Sequence, residues 1–386
     1  MTPEILCYNI TCVGFLLLAF ISFFNPSGVN TTANKWFALF LFSVSSSLVN
    51  AIIYMLHAEA AYQQLIVFNE LSRFAMAPAL YLSVVHFTSP DNTVSKKEYL
   101  HLAPFLLFFI VISPRIFSPG VTAFNLNKLP AVANSVLSGL MFLSVKIQAV
   151  VYWLLSYQKL NKHQKNIQLI NSNTTPVNLN WLKYLLYGIA AMILLWFIQL
   201  FFHVQPVMLL TSFGYLAGTF FICYFLLAQK EIYPFGGAEL VDIKQVLSEG
   251  TVNAPVKKRL TDEQLDQLKI KLLQLMENER LYLDNELSLP QLAREMAVSA
   301  HDVSYLLNEG FGKNFFQFIN AYRVEEARQL MLSEKHRHLN MLGIAYSAGF
   351  NSKTTFNAAF KKETGMSPSQ FLQQGKNEAP ASVSYR

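Results

Sequence analysis

The sequence predicts an all-α chain: an N-terminal bundle of about seven apolar spans, then a helical head carrying two helix-turn-helix motifs. Three observations predict it. Hydrophobic residues make up 53% of the 386 and charged residues only 14%, the second figure well below the roughly 25% of ordinary soluble domains. The average conceals a partition, because residues 1–230 are nearly uncharged runs rich in Phe and Leu whereas residues 256–386 have soluble composition. Finally, the end of the chain reads twice as short helix, tight turn and second helix, with cap residues at the turns.

A transmembrane helix needs about 20 mostly apolar residues. Candidates fall at Ile5–Phe24, Trp36–Leu56, Leu65–Phe87, Tyr99–Ile112, Val132–Tyr157, Leu182–His203 and Val207–Gln229. The third carries Glu70 and Arg73, and the fourth is short with Pro104 inside. Met1 to Ile5 lacks the basic start of a secretory signal, so the first run is read as a retained span. Lys and Arg in short loops set orientation. With the C-terminus inside, the inner loops hold Lys35, Lys96, Lys97, Lys159, Lys162, Lys165 and Lys183, and the outer loops only Arg115 and Lys128. The expected location is therefore a bacterial inner (cytoplasmic) membrane, multi-pass, with the N-terminus outside and the head in the cytoplasm. Cys7, Cys12 and Cys223 all lie in apolar runs without metal-ligand spacing, which suits packing residues.

An ionisable group in hydrocarbon costs at least ~2.5–3.5 kcal/mol at the centre of a span, so Glu70, Arg73 and Lys146 form a candidate polar cluster. Glu70 and Arg73 lie three apart on one helix face and are placed to pair. Lys146, mid-span, needs a partner, and Glu70 is the one carboxylate well inside a span. Two readings stand: a polar pocket that binds a small ligand, or an interhelical lock. Gln148, Gln199 and His203 are further polar groups in or at the ends of spans.

The expected domains are a membrane sensor over residues 1–229, a linker over 230–259 and a DNA-binding head over 260–386. The linker, with Tyr233-Pro234-Phe235-Gly236-Gly237 and the basic run Lys257-Lys258-Arg259, reads as a partly helical connector. Thr261 and Gln264 fit a capping box. The helix after them presents Leu265, Leu268, Leu272 and Leu275 as one stripe, for core packing or a dimer seam. In the first motif, Leu289–Met296 is the support helix and Ser299–Asn308 the reader; in the second, Leu342–Ala348 and Ser352–Glu363 take those roles. Phe315–Leu332 joins them as one long helix. Phe356 and Phe360 should face the core, leaving Asn351, Ser352, Lys353, Thr354, Asn357, Lys361 and Lys362 as short polar and basic groups suited to phosphates and base edges. Two readers whose centres lie about 34 Å apart would contact one face of a duplex.

These residues carry a family resemblance. From about Leu281 to Gln373 the chain resembles the DNA-binding domain of the AraC/XylS family of bacterial transcriptional regulators. The marks are Leu289-x-x-Leu292-Ala293, Val298-Ser299, Gly312-x-x-Phe315, Arg323-Val324-x-x-Ala327-x-x-Leu330, Ile344-Ala345-x-x-x-Gly349-Phe350, Ser352-x-x-x-Phe356-x-x-x-Phe360-Lys361-Lys362-x-x-Gly365 and Ser367-Pro368. The resemblance implies a seven-helix head, transcription control at promoters, and base-reading positions on His301, Ser304 and Tyr305 in the first reader and Lys353, Thr354 and Ala358 in the second. Ala358 stands where the family often has Arg, and Asn357 beside it is expected to contribute. Arg323 and Ala327 are expected to hold the halves together.

Charge is only locally favourable: from Pro255 on there are 17 basic and 15 acidic residues, but from Lys313 to Lys362 eight against three. Phosphate contacts should be few and binding steeply salt-dependent. The leading expectation is a membrane-embedded one-component regulator that senses an unknown small-molecule or membrane signal. Its expected partners are double-stranded promoter DNA, RNA polymerase, the lipid bilayer and a second copy of the chain. The competing reading is a membrane receptor or transporter whose helical tail docks a protein. An enzyme is not expected, since there is no phosphate-cradling Gly-rich loop, no metal-spaced His cluster and no nucleophile elbow. No metal or cofactor is expected either.

Overall fold

The computed structural model describes residues 3–90, 93–117, 131–202, 205–249, 259–336 and 338–378. Among them it holds fifteen α-helices and no strand. The chain divides into two compact units, residues 1–162 with 179–232, and residues 163–178 with 233–386.

The first unit is built from α1 (Pro3–Phe24), α2 (Thr31–Met55), α3 (Gln63–Phe87), α4 (Ala103–Phe117), most of α5 (Ala131–Asn166), α6 (Asn180–Phe201) and α7 (Gln205–Leu227). Helix α2 packs between α1 and α3, α1 against α7, α3 against α4, and α6 against α7. Six of these helices are long and apolar enough to cross a membrane. Helix α4, at 15 residues, rises only about 22 Å at 1.5 Å per residue. Pro104 stands at its second position, where a missing N–H costs nothing, rather than inside a longer helix. A 3-10 turn over Lys96–Leu102, capped by Ser95 and Glu98, precedes it.

The outer surface of this unit departs from the soluble pattern. Val13, Leu17, Phe20, Leu107, Ile110 and Phe220 stand on the outside, while Ser43, Asn50, Asn69 and Ser83 are buried. A hydrogen-bonded ladder runs between α2 and α3. Ser46 Oγ donates to Asn69 Oδ1 (2.6 Å), Asn69 Nδ2 to Asn50 Oδ1 (2.8 Å) and Asn50 Nδ2 to Glu70 Oε1 (3.0 Å). Polar groups buried between helices gain partners that an apolar surrounding cannot supply. Aromatic edges fill the remaining space, with Trp181 T-shaped against Phe37 and Phe87 at 6.0 and 5.7 Å between centroids.

The second unit contains α8 (Gly237–Glu249), α9 (Asp262–Gln274), α10 (Leu289–Glu295), α11 (Ala300–Phe311), α12 (Phe315–Leu332), α13 (Met341–Ser347), α14 (Lys353–Thr364) and α15 (Pro368–Glu378). From Asp262 onward there are thus seven α-helices, the number the resemblance implied. Within the 230–259 stretch, α8 packs on α11 with Ile243 and Val246 buried, so part of the expected connector belongs to this unit's core. Thr261 and Gln264 make both hydrogen bonds of the capping box. Leu272 and Leu275 are buried and α9 packs on α11.

The segment 163–178, which joins α5 to α6 in sequence, is also built into the second unit. Leu289 N donates to Ile170 O (2.8 Å) and Ser172 N to Leu287 O (3.2 Å). Ser172 Oγ donates to the same Leu287 carbonyl at 2.6 Å. Ile167 and Ile170 are fully buried. A loop between two apolar helices therefore docks on the start of the first helix-turn-helix.

Candidate nucleic-acid interface

Helix α12 is the spine of the second unit, and Arg323 is its centre. The residue is 1% exposed. Nε donates to Tyr282 O (2.7 Å), and Nη2 donates to Asp284 O (2.7 Å) and Ser172 Oγ (2.9 Å). Burial lowers its pKa to about 10, with the Asp284 charge opposing, so it stays charged at neutral pH. An unpaired buried charge would be costly, and here every donor direction is used. Ala327, fully buried, packs with Ile344, Phe350, Phe356 and Phe360 in the core of the second half. Arg323 thus ties α12 to the Tyr282–Asp284 and Ser172 backbone, Ala327 packs in the core of the second half, and both point away from solvent.

In the first motif Ser288 caps α10 by accepting from Gln291 N, and Ala297 takes the turn at φ +53°. Ser299 caps α11, accepting from Asp302 N at 3.1 Å. The Asp302 carboxylate is pushed up by partial burial, but hydrogen bonds from Ser299 and Arg259 outweigh this and hold it below its usual value. Val303, Leu306 and Leu307 seat α11 on the core. Of the expected reading positions, Ser304 and Tyr305 are half-buried at the surface. His301 is 6% exposed, so it is buried rather than presented on the surface beside Ser304 and Tyr305.

The second motif offers a more open face. Asn340 caps α13 and Ser352 caps α14, the latter accepting from Thr355 N at 3.1 Å. Gly349 takes the turn at φ +87°, and a Cβ there would lie 2.6 Å from Tyr282 O. Only glycine meets both demands. Phe356 and Phe360 anchor α14 in the core. Lys353, Thr354, Asn357, Ala358, Lys361 and Lys362 are all exposed, and their i, i+4, i+8 spacing places them on one face. Asn351 and Ser352 stand half-buried at its start.

Electrostatics narrows the basic surface further. Of the local basic excess, Arg323 is buried, Arg328 pairs with Glu325 at 2.6 Å and Lys313 with Glu363 at 3.6 Å. Lys353, Lys361 and Lys362 have no ion-pair partner among the described residues. Sequence reading missed Ser172 and Tyr282 as supports of this frame; their signal is the burial of Arg323, which sequence does not display.

The polar residues of the first unit are placed as follows. Arg73 pairs with Glu70 at 2.9 Å and its Nε donates to Ser47 Oγ at 3.1 Å. Lys146 does not meet Glu70; its ammonium lies over the Trp196 ring at 4.1 Å and the Phe142 ring at 5.2 Å. Gln148 donates to Phe74 O and Gln199 to Thr211 Oγ1. Among the described residues no His, Cys, Asp and Glu group is arranged to hold a metal ion. His203, Lys128, Lys257 and Lys258, and the side chain of Arg115, lie outside the described residues.

Residues 292–374 match the family model described as a helix-turn-helix domain. No curated protein and no solved structure matches the chain. The match begins in α10 and ends in α15, taking in both reader helices and the spine between them. The chain therefore carries an AraC-type helix-turn-helix domain at residues 292–374, joined to N-terminal helices long and apolar enough to cross a membrane.

Proposed function

We propose that this protein is a one-component transcription regulator embedded in a bacterial inner membrane, sensing a signal there and reading promoter DNA with its head. The exposed face of α14 carries this reading: three lysines, without ion-pair partners among the described residues, flank Thr354 and Asn357 on a helix-turn-helix frame. Lys361 and Lys362 meet phosphates near the helix end, and Lys353, Thr354 and Asn357 enter the major groove, where Lys reads guanine and Asn reads adenine. Ser304 and Tyr305 on α11 make the second, weaker approach. Asn351 and Ser352 stand at the phosphate-facing N-terminus of α14.

The apolar outer surface of the first unit, and the polar side chains satisfied between its helices, support membrane embedding. The bias of lysines toward alternate loops supports an outside N-terminus and a cytoplasmic head. The signal travels through the segment 163–178, whose two ends continue α5 and α6 and whose middle clamps Leu287 and Leu289 of the first motif. RNA polymerase and a second copy of the chain are the partners such a regulator needs at a promoter.

The test is genome-wide mapping of DNA bound by the intact, membrane-held protein, with base-resolution footprints at the sites. Two protected segments about one helical turn apart, lost from one segment in Lys353→Ala with Thr354→Ala, are expected. A protein that crosslinks to no promoter in cells, or a reporter placing residue 386 outside the cytoplasm, sinks the proposal.

A further inference from the structure

A cavity of about 670 Å³ lies inside the first unit, walled by α1, α2, α3, α5, α6 and α7. Its size falls in the range of small-molecule sites. The walls are almost entirely apolar, with Phe15, Leu80 and Ile222 among them, and two polar lining groups, Ser47 and Trp196, connect directly to charges. Ser47 Oγ accepts from Arg73 Nε at 3.1 Å, and the Trp196 ring carries the Lys146 ammonium at 4.1 Å. Arg73 has Glu70 as its counter-ion. Lys146 has aromatic rings and, among the described residues, no carboxylate. Two cations and one carboxylate therefore stand beside an apolar chamber, a surplus of one positive charge in a low-dielectric setting.

We propose that this cavity binds a single-chain monoanionic amphiphile, its tail in the apolar chamber and its anionic head between Lys146 and Arg73. A neutral apolar ligand would leave the surplus charge unbalanced, and a dianion would overshoot it. Hydrophilic anions would leave the chamber unfilled. The head charge would replace what the Lys146 ring contacts supply only in part, since cation–π attraction does not neutralise an ion. The proposal deepens the sensing half of the proposed function by naming the signal's chemical class. Its test contains no DNA, so its failure leaves the promoter-binding reading intact, and the converse holds.

The full-length protein in phosphatidylcholine nanodiscs is titrated with palmitate bearing a mid-chain diazirine, photolysed, and the labelled residues mapped by mass spectrometry. Labels are expected on cavity residues, displaced by unmodified palmitate and at least tenfold less well by palmityl alcohol. Displacement by lysophosphatidylglycerol, which also has one chain and one negative charge, would support the same chemistry with a lysophospholipid as its source. Lys146→Met should weaken palmitate at least tenfold and leave the alcohol unchanged. Gly188→Leu, at a lining position where a Cβ meets nothing within 4 Å, should lower occupancy by both. Labels confined to the outer surface, equal displacement by alcohol and acid, or unaltered palmitate binding in either variant would overturn the proposal.

Discussion

At the scale of single residues, two positions in the head are held by demands that no other side chain meets. Arg323 bridges Tyr282 O, Asp284 O and Ser172 Oγ from one buried plane. A lysine presents a point charge and cannot span three acceptors. Arg323→Lys or Arg323→Met should each destabilise the head by several kcal/mol, since hydrogen bonds from a charged group are worth about 1.5–3 kcal/mol each and their buried acceptors would be left unpaired. Pulse proteolysis of the full chain, reading cleavage between Arg280 and Arg294, measures this; unchanged protection would mean the guanidinium is not the clasp. Gly349 is held differently. Its φ of +87° alone would strain another residue, and the Cβ of Gly349→Ala would meet backbone at 2.6 Å and 2.9 Å. Backbone atoms do not swing aside as a side-chain tip would. Strain of about 1–3 kcal/mol plus the clash should appear as faster hydrogen exchange at the Phe350 amide, which donates to Ala345 O at 3.0 Å.

Among helices and loops, what was readable in the sequence followed from local chemistry. Ser299, Ser352, Gly365 and the Thr261–Gln264 box announce helix ends because capping needs only neighbours in sequence. Phe315–Leu332 and the facing of Phe356 and Phe360 follow from periodicity. The inward turn of His301 was not legible, since polarity suggests exposure and only the packing of α11 decides it. The sequence offers Glu70 to Lys146 because no other carboxylate lies well inside a span, but Glu70 has nearer partners in Asn50 and Arg73. The docking of segment 163–178 was invisible because it joins residues more than a hundred positions apart. Its importance can be measured. Ser172 Oγ donates to Leu287 O and accepts from Arg323 Nη2, so Ser172→Ala removes two hydrogen bonds, worth about 0.5–1.5 kcal/mol each or more where a charge is involved. The Leu289 amide, bonded to Ile170 O, should then exchange roughly tenfold faster or more, corresponding to about 1.4 kcal/mol. An unmoved exchange rate would show that the loop lies on the head without holding it.

For the whole molecule, the balance of charge sets how the head meets DNA. Seventeen basic and fifteen acidic residues from Pro255 on leave almost no long-range attraction, and pairing of Lys313 and Arg328 removes two of the basic groups from the reading face. Binding then rests on few counter-ions released. With Lys361 and Lys362 as the phosphate-neutralising groups, log affinity should fall with log salt at a slope of about −1.8 per head, or about twelvefold between 50 and 200 mM. Two heads on one promoter should double that slope. The binding slope of the intact protein in nanodiscs, carried out at one and at two copies per disc, therefore reports stoichiometry as well as contact number. Lys361→Ala with Lys362→Ala should lower it by about 2 per head and weaken all sequences alike, whereas Asn357→Ala should leave it unchanged and cost about 1–3 kcal/mol only at the preferred site. A slope near zero would remove the lysine face of α14 from the interface. A steep slope unaffected by the double variant would assign it to other basic residues. Because so few charges are engaged, a head held near the promoter by its membrane partner copies gains more from effective concentration than from its own contacts, so the two-copy disc should bind more than additively at 200 mM salt.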